Sequence, residues 1–154
     1  MDHEFSSSQI GQGQVGWDWL CLQLNDGREI MAYRMRRADD TTDPFSTVAW
    51  VDRNGTVRQV GPAQFQWTTL DHWRSPHTGA VYPSGVRLAA ENPETGKAEA
   101  FTIEPLVADQ ELNGKLGGVA YWEGACRILN DKKEVIGRAY LELTGYSKTL
   151  KGQF

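Results

Sequence analysis

Hydrophobic and polar positions alternate with a period of two along most of the chain, the signature of strands with one face turned to a core. In Val15–Leu24, Trp17, Trp19, Cys21 and Gln23 share one face, and Asp18, Leu20, Leu22 and Leu24 share the other. Asn25-Asp26-Gly27 follows, an Asp-Gly signal that supplies positive φ cheaply and turns the chain into a hairpin. Arg28–Arg36 returns, with Ile30, Ala32, Arg34 and Arg36 set against Met31, Tyr33 and Met35. Further alternating runs are expected at Phe45–Val51, Thr56–Val60, Gln64–Leu70, Val86–Ala90, Ala100–Leu106, Val119–Leu129 and Val135–Thr144. Turn residues separate them: Arg53-Asn54-Gly55, Gly61-Pro62, Asn92–Gly96 and Asp131-Lys132-Lys133. His72–Ser84, rich in Pro, Gly, Ser and Thr, reads as a long connection. Ala108–Leu112 is the best helical stretch and is too short to stand alone.

Roughly nine or ten short strands with hairpin-length links predict an all-β fold, an antiparallel up-and-down β-barrel or a sandwich. Closure into a barrel removes the edges that aromatic-rich strands would expose. The barrel is expected over residues 14–154, preceded by a linker-like segment at 1–13. Met1–Phe5 is charged and aromatic, and Ser6–Gly13 is small and flexible, as in a link from an upstream domain.

Composition narrows the function classes. The 154 residues, 40% hydrophobic and 23% charged, are those of a globular domain. A net charge of -4 argues against a general nucleic-acid binder, which needs clustered Lys and Arg. Arg34, Arg36 and Arg37 form the densest basic group, and Asp39 and Asp40 follow at once, as at a solvated strand end. No apolar run approaches the roughly 18 residues of a membrane span, and no signal peptide is legible within this chain; the compartment stays open. Cys21 and Cys126 lack metal-site spacing and are expected as buried free thiols, or as a bridge if their strands are neighbours. No cofactor and no metal site is expected. Six Trp is a high count for this length, and they either line a ligand cavity or fill the core.

Several segments carry a resemblance. Asp2-His3-Glu4-Phe5-Ser6-Ser7-Ser8, Gly16-Trp17-Asp18-Trp19 and Leu22-Gln23-Leu24-Asn25-Asp26-Gly27-Arg28-Glu29 come first, followed by Ser75-Pro76-His77-Thr78-Gly79-Ala80 with Tyr82-Pro83 and by Asp109-Gln110-Glu111-Leu112. Tyr121-Trp122-Glu123-Gly124-Ala125 and the run Gly137–Tyr146 complete the set. In this order they resemble the C-terminal domain of the AttH and carotenoid 1,2-hydratase-like family, whose members hold two lipocalin-like barrels. The resemblance implies a lipocalin-like barrel, an apolar ligand of isoprenoid or polyketide type, and as partner an upstream lipocalin-like domain or a second copy forming a homodimer. It also implies two alternatives to plain binding: half of an acid-catalysing hydratase or cyclase, or an interaction module. The hydratase pattern His-x-Trp with Tyr-x-Asp falls here on His3 with Phe5 and on Tyr33 with Met35, so the second aromatic is altered and the acid position is an apolar residue.

Candidate chemistry follows from residue type. Asp2, His3 and Glu4 place a group that titrates near neutrality between carboxylates. Glu123, flanked by aromatics in an apolar strand, is either a general acid or the ion-pair partner of Arg87, Arg127 or Arg138. Asp18 between two Trp carries the same ambiguity. Catalytic candidates are therefore Asp2, His3, Tyr33 and Glu123, and ligand-binding candidates are Phe5, Trp17, Trp19, Tyr121 and Trp122. His72 and His77 are expected as surface loop residues, and no Ser-His-Asp set is legible.

Overall fold

The computed structural model describes residues 10–39, 41–113 and 120–147. Ten strands form one antiparallel sheet in up-and-down order: β1 (Gln14–Leu24), β2 (Glu29–Arg37), β3 (Thr47–Val51), β4 (Val57–Val60), β5 (Phe65–Arg74), β6 (Val81–Asn92), β7 (Lys97–Pro105), β8 (Glu111–Asn113), β9 (Ala120–Leu129) and β10 (Val135–Leu143). The lateral order is β4-β3-β2-β1-β10-β9-β7-β6-β5, with β8 beside β9. This is a lipocalin-like fold, yet the sheet does not close, because no ladder joins β4 to β5 among the described residues. Pro62 opens the 3-10 turn Pro62–Gln64 that carries the chain across this seam.

Turn chemistry sets the hairpins. Gly27 (φ 88°) and Gly55 (φ 87°) take the left-handed backbone that the β1–β2 and β3–β4 turns need. Alternation then sends Leu20, Leu22, Ile30, Val48, Leu88, Ile103, Ile128, Leu141 and Leu143 into one contiguous core with Trp50, Tyr82, Phe101 and Trp122. Trp122, fully buried, donates its indole N–H to the Ala108 carbonyl at 2.8 Å. The interior is thus filled by the protein's own side chains.

One expected connection is mostly strand. Between His72 and Ser84, β5 continues to Arg74 and β6 starts at Val81. Two register shifts, at Thr69/Asp71 and Asp71/His72, interrupt the alternation that a sequence reading relies on, and Pro83 sits opposite His72 at that irregular point. Glu111–Asn113 likewise pairs with β9 rather than turning helical. Cys126 is buried, with its thiol pushed up to about 12 by burial, and Cys21 is only half-buried. β10 lies between their strands, so the two cysteines are free thiols and not a bridge. Among the described residues, no helix is long and apolar enough to cross a membrane.

Candidate functional site

The sheet's outer face across β2, β1, β10 and β9 gathers most of the residues singled out from the sequence. In the ladder, Tyr33 is opposite Trp19, Trp19 opposite Glu142, and Glu142 opposite Glu123. With neighbouring strands about 4.8 Å apart, this row spans roughly 14 Å. All four side chains are partly exposed, as are Trp17 and Tyr121. Their parity explains the placement: the alternate residues Asp18, Leu20, Ala32, Leu141 and Trp122 point inward.

Hydrogen bonds run diagonally between the strands of this face. Tyr140 donates its hydroxyl to Glu123 at 2.8 Å, and Trp17 donates its indole N–H to Glu142 at 3.1 Å. The Glu123 bond, with burial and the charge of that carboxylate, pushes the Tyr140 hydroxyl up to about 12. Tyr121 is raised too, first by burial and then by Glu123 and Glu142. The expected pairing of Glu123 with an arginine is not what occurs: Arg87 binds Asp131 at 2.8 Å and Arg127 binds Glu104, so tyrosine is the partner that reaches Glu123. Chemically, the face offers aromatic planes for a flat apolar molecule, with two carboxylates and the phenols of Tyr33, Tyr121 and Tyr140 among them.

Trp122, counted with the ligand-binding residues, is instead part of the core. Asp2, His3 and Phe5 lie outside the described residues. Sequence reading passed over Tyr140 and Glu142. Their alternation against Ala139, Leu141 and Leu143 was visible, but not which strands would flank them.

The inward face holds a second polar group. Asp18, fully buried, accepts from Arg34 Nη1 and Arg36 Nε, both at 3.0 Å, and from the Tyr146 hydroxyl at 2.9 Å. Arg36 also donates to the Thr144 carbonyl, and its guanidinium lies 3.8 Å above the Tyr146 ring. Burial pushes the Asp18 carboxyl up, with Arg36 and Arg34 opposing. These arginines, together with Arg37 bound to Asp43 at 3.1 Å, are therefore not a solvated strand end. With the Asp18 carboxylate held by three donors and only Arg34 Nε left without an acceptor, the cluster reads as a structural clasp.

A third cluster ties the turn after β5 to β8. Glu111 accepts from Ser75, from Thr78 Oγ1 at 2.6 Å and from the Tyr82 hydroxyl at 2.9 Å. His77 Nε2 lies 2.8 Å from Asp109, and both side chains are about half exposed. Ser75, His77 and Asp109 are neighbours, yet they form no nucleophilic triad, since the Ser75 hydroxyl is directed at Glu111 rather than at the imidazole. His72 is exposed, but on β5 rather than in a loop. No group of three or more potential metal ligands occurs among the described residues.

Comparison with known proteins adds the family. The AttH-like family model matches residues 1–146. The crystal structure of an AttH protein from Nitrosomonas europaea superposes with a TM-score of 0.78 at 36% identity, over 92% of this chain and 42% of that one. Kievitone hydratase from Nectria haematococca superposes with a TM-score of 0.62 at 19% identity, over 88% of this chain and 40% of that one, a likeness of fold. No curated protein matches. This chain therefore spans well under half the length of the solved proteins it resembles.

Proposed function

The chain belongs to the AttH-like family, and we propose that it is a lipocalin-like module that holds an apolar small molecule, isoprenoid or polyketide-like, against its outer sheet face. The observation that carries this reading is the row Tyr33–Trp19–Glu142–Glu123, flanked by Trp17 and Tyr121. A sheet face turned to water ordinarily carries small and charged residues, whereas this one carries aromatics that a bound molecule would cover. The filled interior supports placing the ligand outside the barrel. An upstream lipocalin-like domain or a second copy would supply the opposite wall, as the greater length of the relatives suggests.

Farnesol, an isoprenoid alcohol, is a suitable probe. Titrated into the labelled protein, it is expected to shift the indole N–H resonances of Trp17 and Trp19. The Trp19→Ala variant is expected to bind at least about tenfold more weakly while keeping its melting temperature. Unmoved Trp17 and Trp19 resonances at saturating farnesol would reject the reading. A farnesol-independent dimer burying the same indoles would replace it with an interaction role.

A second reading, acid-catalysed hydration or cyclisation, is favoured by the Tyr140–Glu123 bond beside Glu142. In it Glu123 and Tyr33 move the proton, with Asp2 and His3 as the remaining acid-base candidates, and aromatic faces, Phe5 among them, steady a cationic intermediate. Its discriminating result is a Glu123→Gln variant that keeps farnesol binding and loses turnover.

A further inference from the structure

The sheet carries a split far from the outer-face row. β9 pairs with β7 only over Thr102–Pro105, so the β9-facing edge of β7 is free from Lys97 to Phe101. Two local features hold the β9–β10 hairpin away from it. Lys133 takes a left-handed φ of 62° in the turn, and the register shifts between Val135 and Gly137. Gly137 allows β10 to press close on β1 there, since a Cβ would stand 2.3 Å from the Gln23 carbonyl oxygen.

A cleft of about 540 Å3 occupies the split, within the range of small-molecule sites. Its apolar lining is Leu24, Phe101, Ile136 and Val135, the last 57% exposed. One wall is rigid: Arg28 grips both Glu99 oxygens at 3.0 and 3.1 Å and Asp26 at 2.9 Å. Behind that wall the guanidinium lies 5.9 Å from the Trp50 ring, whose buried indole N–H meets no protein acceptor. Asp131, on the rim, is taken by Arg87. That leaves Lys132 as the cleft's unpaired charge among the described residues.

From this balance we propose that the cleft between β7 and the β9–β10 hairpin is a second binding site, for an apolar carboxylate. The hydrocarbon body lies on Leu24, Phe101 and Val135 and the acid group meets Lys132. An anion is favoured at the hairpin end of the cleft because Asp131 there is held by Arg87 while Lys132 has no partner among the described residues, and Asp26 and Glu99 are both drawn to Arg28 on the other wall. The site is independent of the outer face.

Dodecanoate and dodecanol, of equal chain length, test it. Amide shifts at Ala98 and Ala100 report occupancy, and direct titration gives both Kd values. Dodecanoate is expected to bind about tenfold tighter than dodecanol, and Lys132→Glu to erase the difference. Ala100→Trp, which fills the cleft from a half-buried strand position, is expected to abolish the Ala98 shift with either ligand, and Trp19→Ala to leave it unchanged. Equal affinity of acid and alcohol, or an unaltered Ala98 shift in Ala100→Trp, overturns the proposal. Loss of dodecanoate in Trp19→Ala would also overturn it, by assigning the acid to the outer face.

Discussion

Asp18 has no solvent exposure and Arg36 reaches it at 3.0 Å while resting its guanidinium on the Tyr146 ring, so charge, ring and carboxylate lock β1, β2 and the end of β10 together. Removing the carboxylate strands two guanidinium groups in a poorly hydrated place. Asp18→Asn is expected to lower the unfolding free energy by about 3 kcal/mol or more, measured by urea denaturation at neutral pH. A loss no larger than that of an exposed substitution would show that the arginines rehydrate freely.

Acid should weaken the loop before β3. The Phe45 amide donates to Asp43 at 3.0 Å, and this bond, assisted by Arg37, holds the nearly buried carboxyl below the usual carboxylate range. A depressed folded value contributes stability that is complete above the unfolded value and lost as pH falls through the folded one. Between about pH 5 and about pH 2, Asp43→Asn is therefore expected to lose less stability than the wild type. Parallel acid limbs in thermal melts would rule this out.

Glu123 sets the ionisation of Tyr140. With the hydroxyl at about 12, Tyr140 should remain about nine-tenths protonated at pH 11. In Glu123→Gln the charge is gone and the phenol should move toward its ordinary value of about 10. Carbon-13 shifts of ring-labelled tyrosine follow the change directly. An unaltered Tyr140 titration would mean that burial, not Glu123, is its cause.

Gly137 is a steric requirement. A methyl group there would meet the Gln23 carbonyl oxygen at 2.3 Å and the Leu24 Cα at 3.1 Å, both backbone and unable to swing aside. Gly137→Ala is expected to cost about 2 kcal/mol by forcing β1 and β10 apart. Chemical denaturation gives the size, and hydrogen exchange at Leu24 gives the place.

Glu111 acts as a latch. Glu111→Ala leaves the Ser75, Thr78 and Tyr82 hydroxyls without their acceptor, and Ser75 is buried. The expected cost is about 2 kcal/mol, with faster amide exchange across residues 105–113 and little change in β1. Uniform acceleration over the whole sheet would instead point to a global defect.

Most strands and most turns were readable from the chain, because alternation and positive-φ turn residues are local properties. Reading failed where locality failed. The bulges around Asp71 hid the upper part of β5, and Arg34, Arg36 and Arg37 looked like a solvated run because their acceptors, Asp18 and Asp43, come from the opposite strand and the following loop. The candidate residues Tyr33, Trp19 and Glu123 were each noticed separately. Nothing local announced that they stand in one row, or that Tyr140 rather than an arginine holds Glu123.

By itself, then, the sequence determined the all-β class, the hairpins and the side of each strand on which a residue falls, since a period of two depends only on the backbone. Tertiary structure alone decided which strand became whose neighbour. It put Glu142 between Trp19 and Glu123, filled the interior with Trp122 and Tyr82, and opened the split beside β7. The physical reason is that lateral pairing is settled by burial summed over the whole core and by close approaches such as Gly137 on β1, and neither is contained in any short stretch of chain.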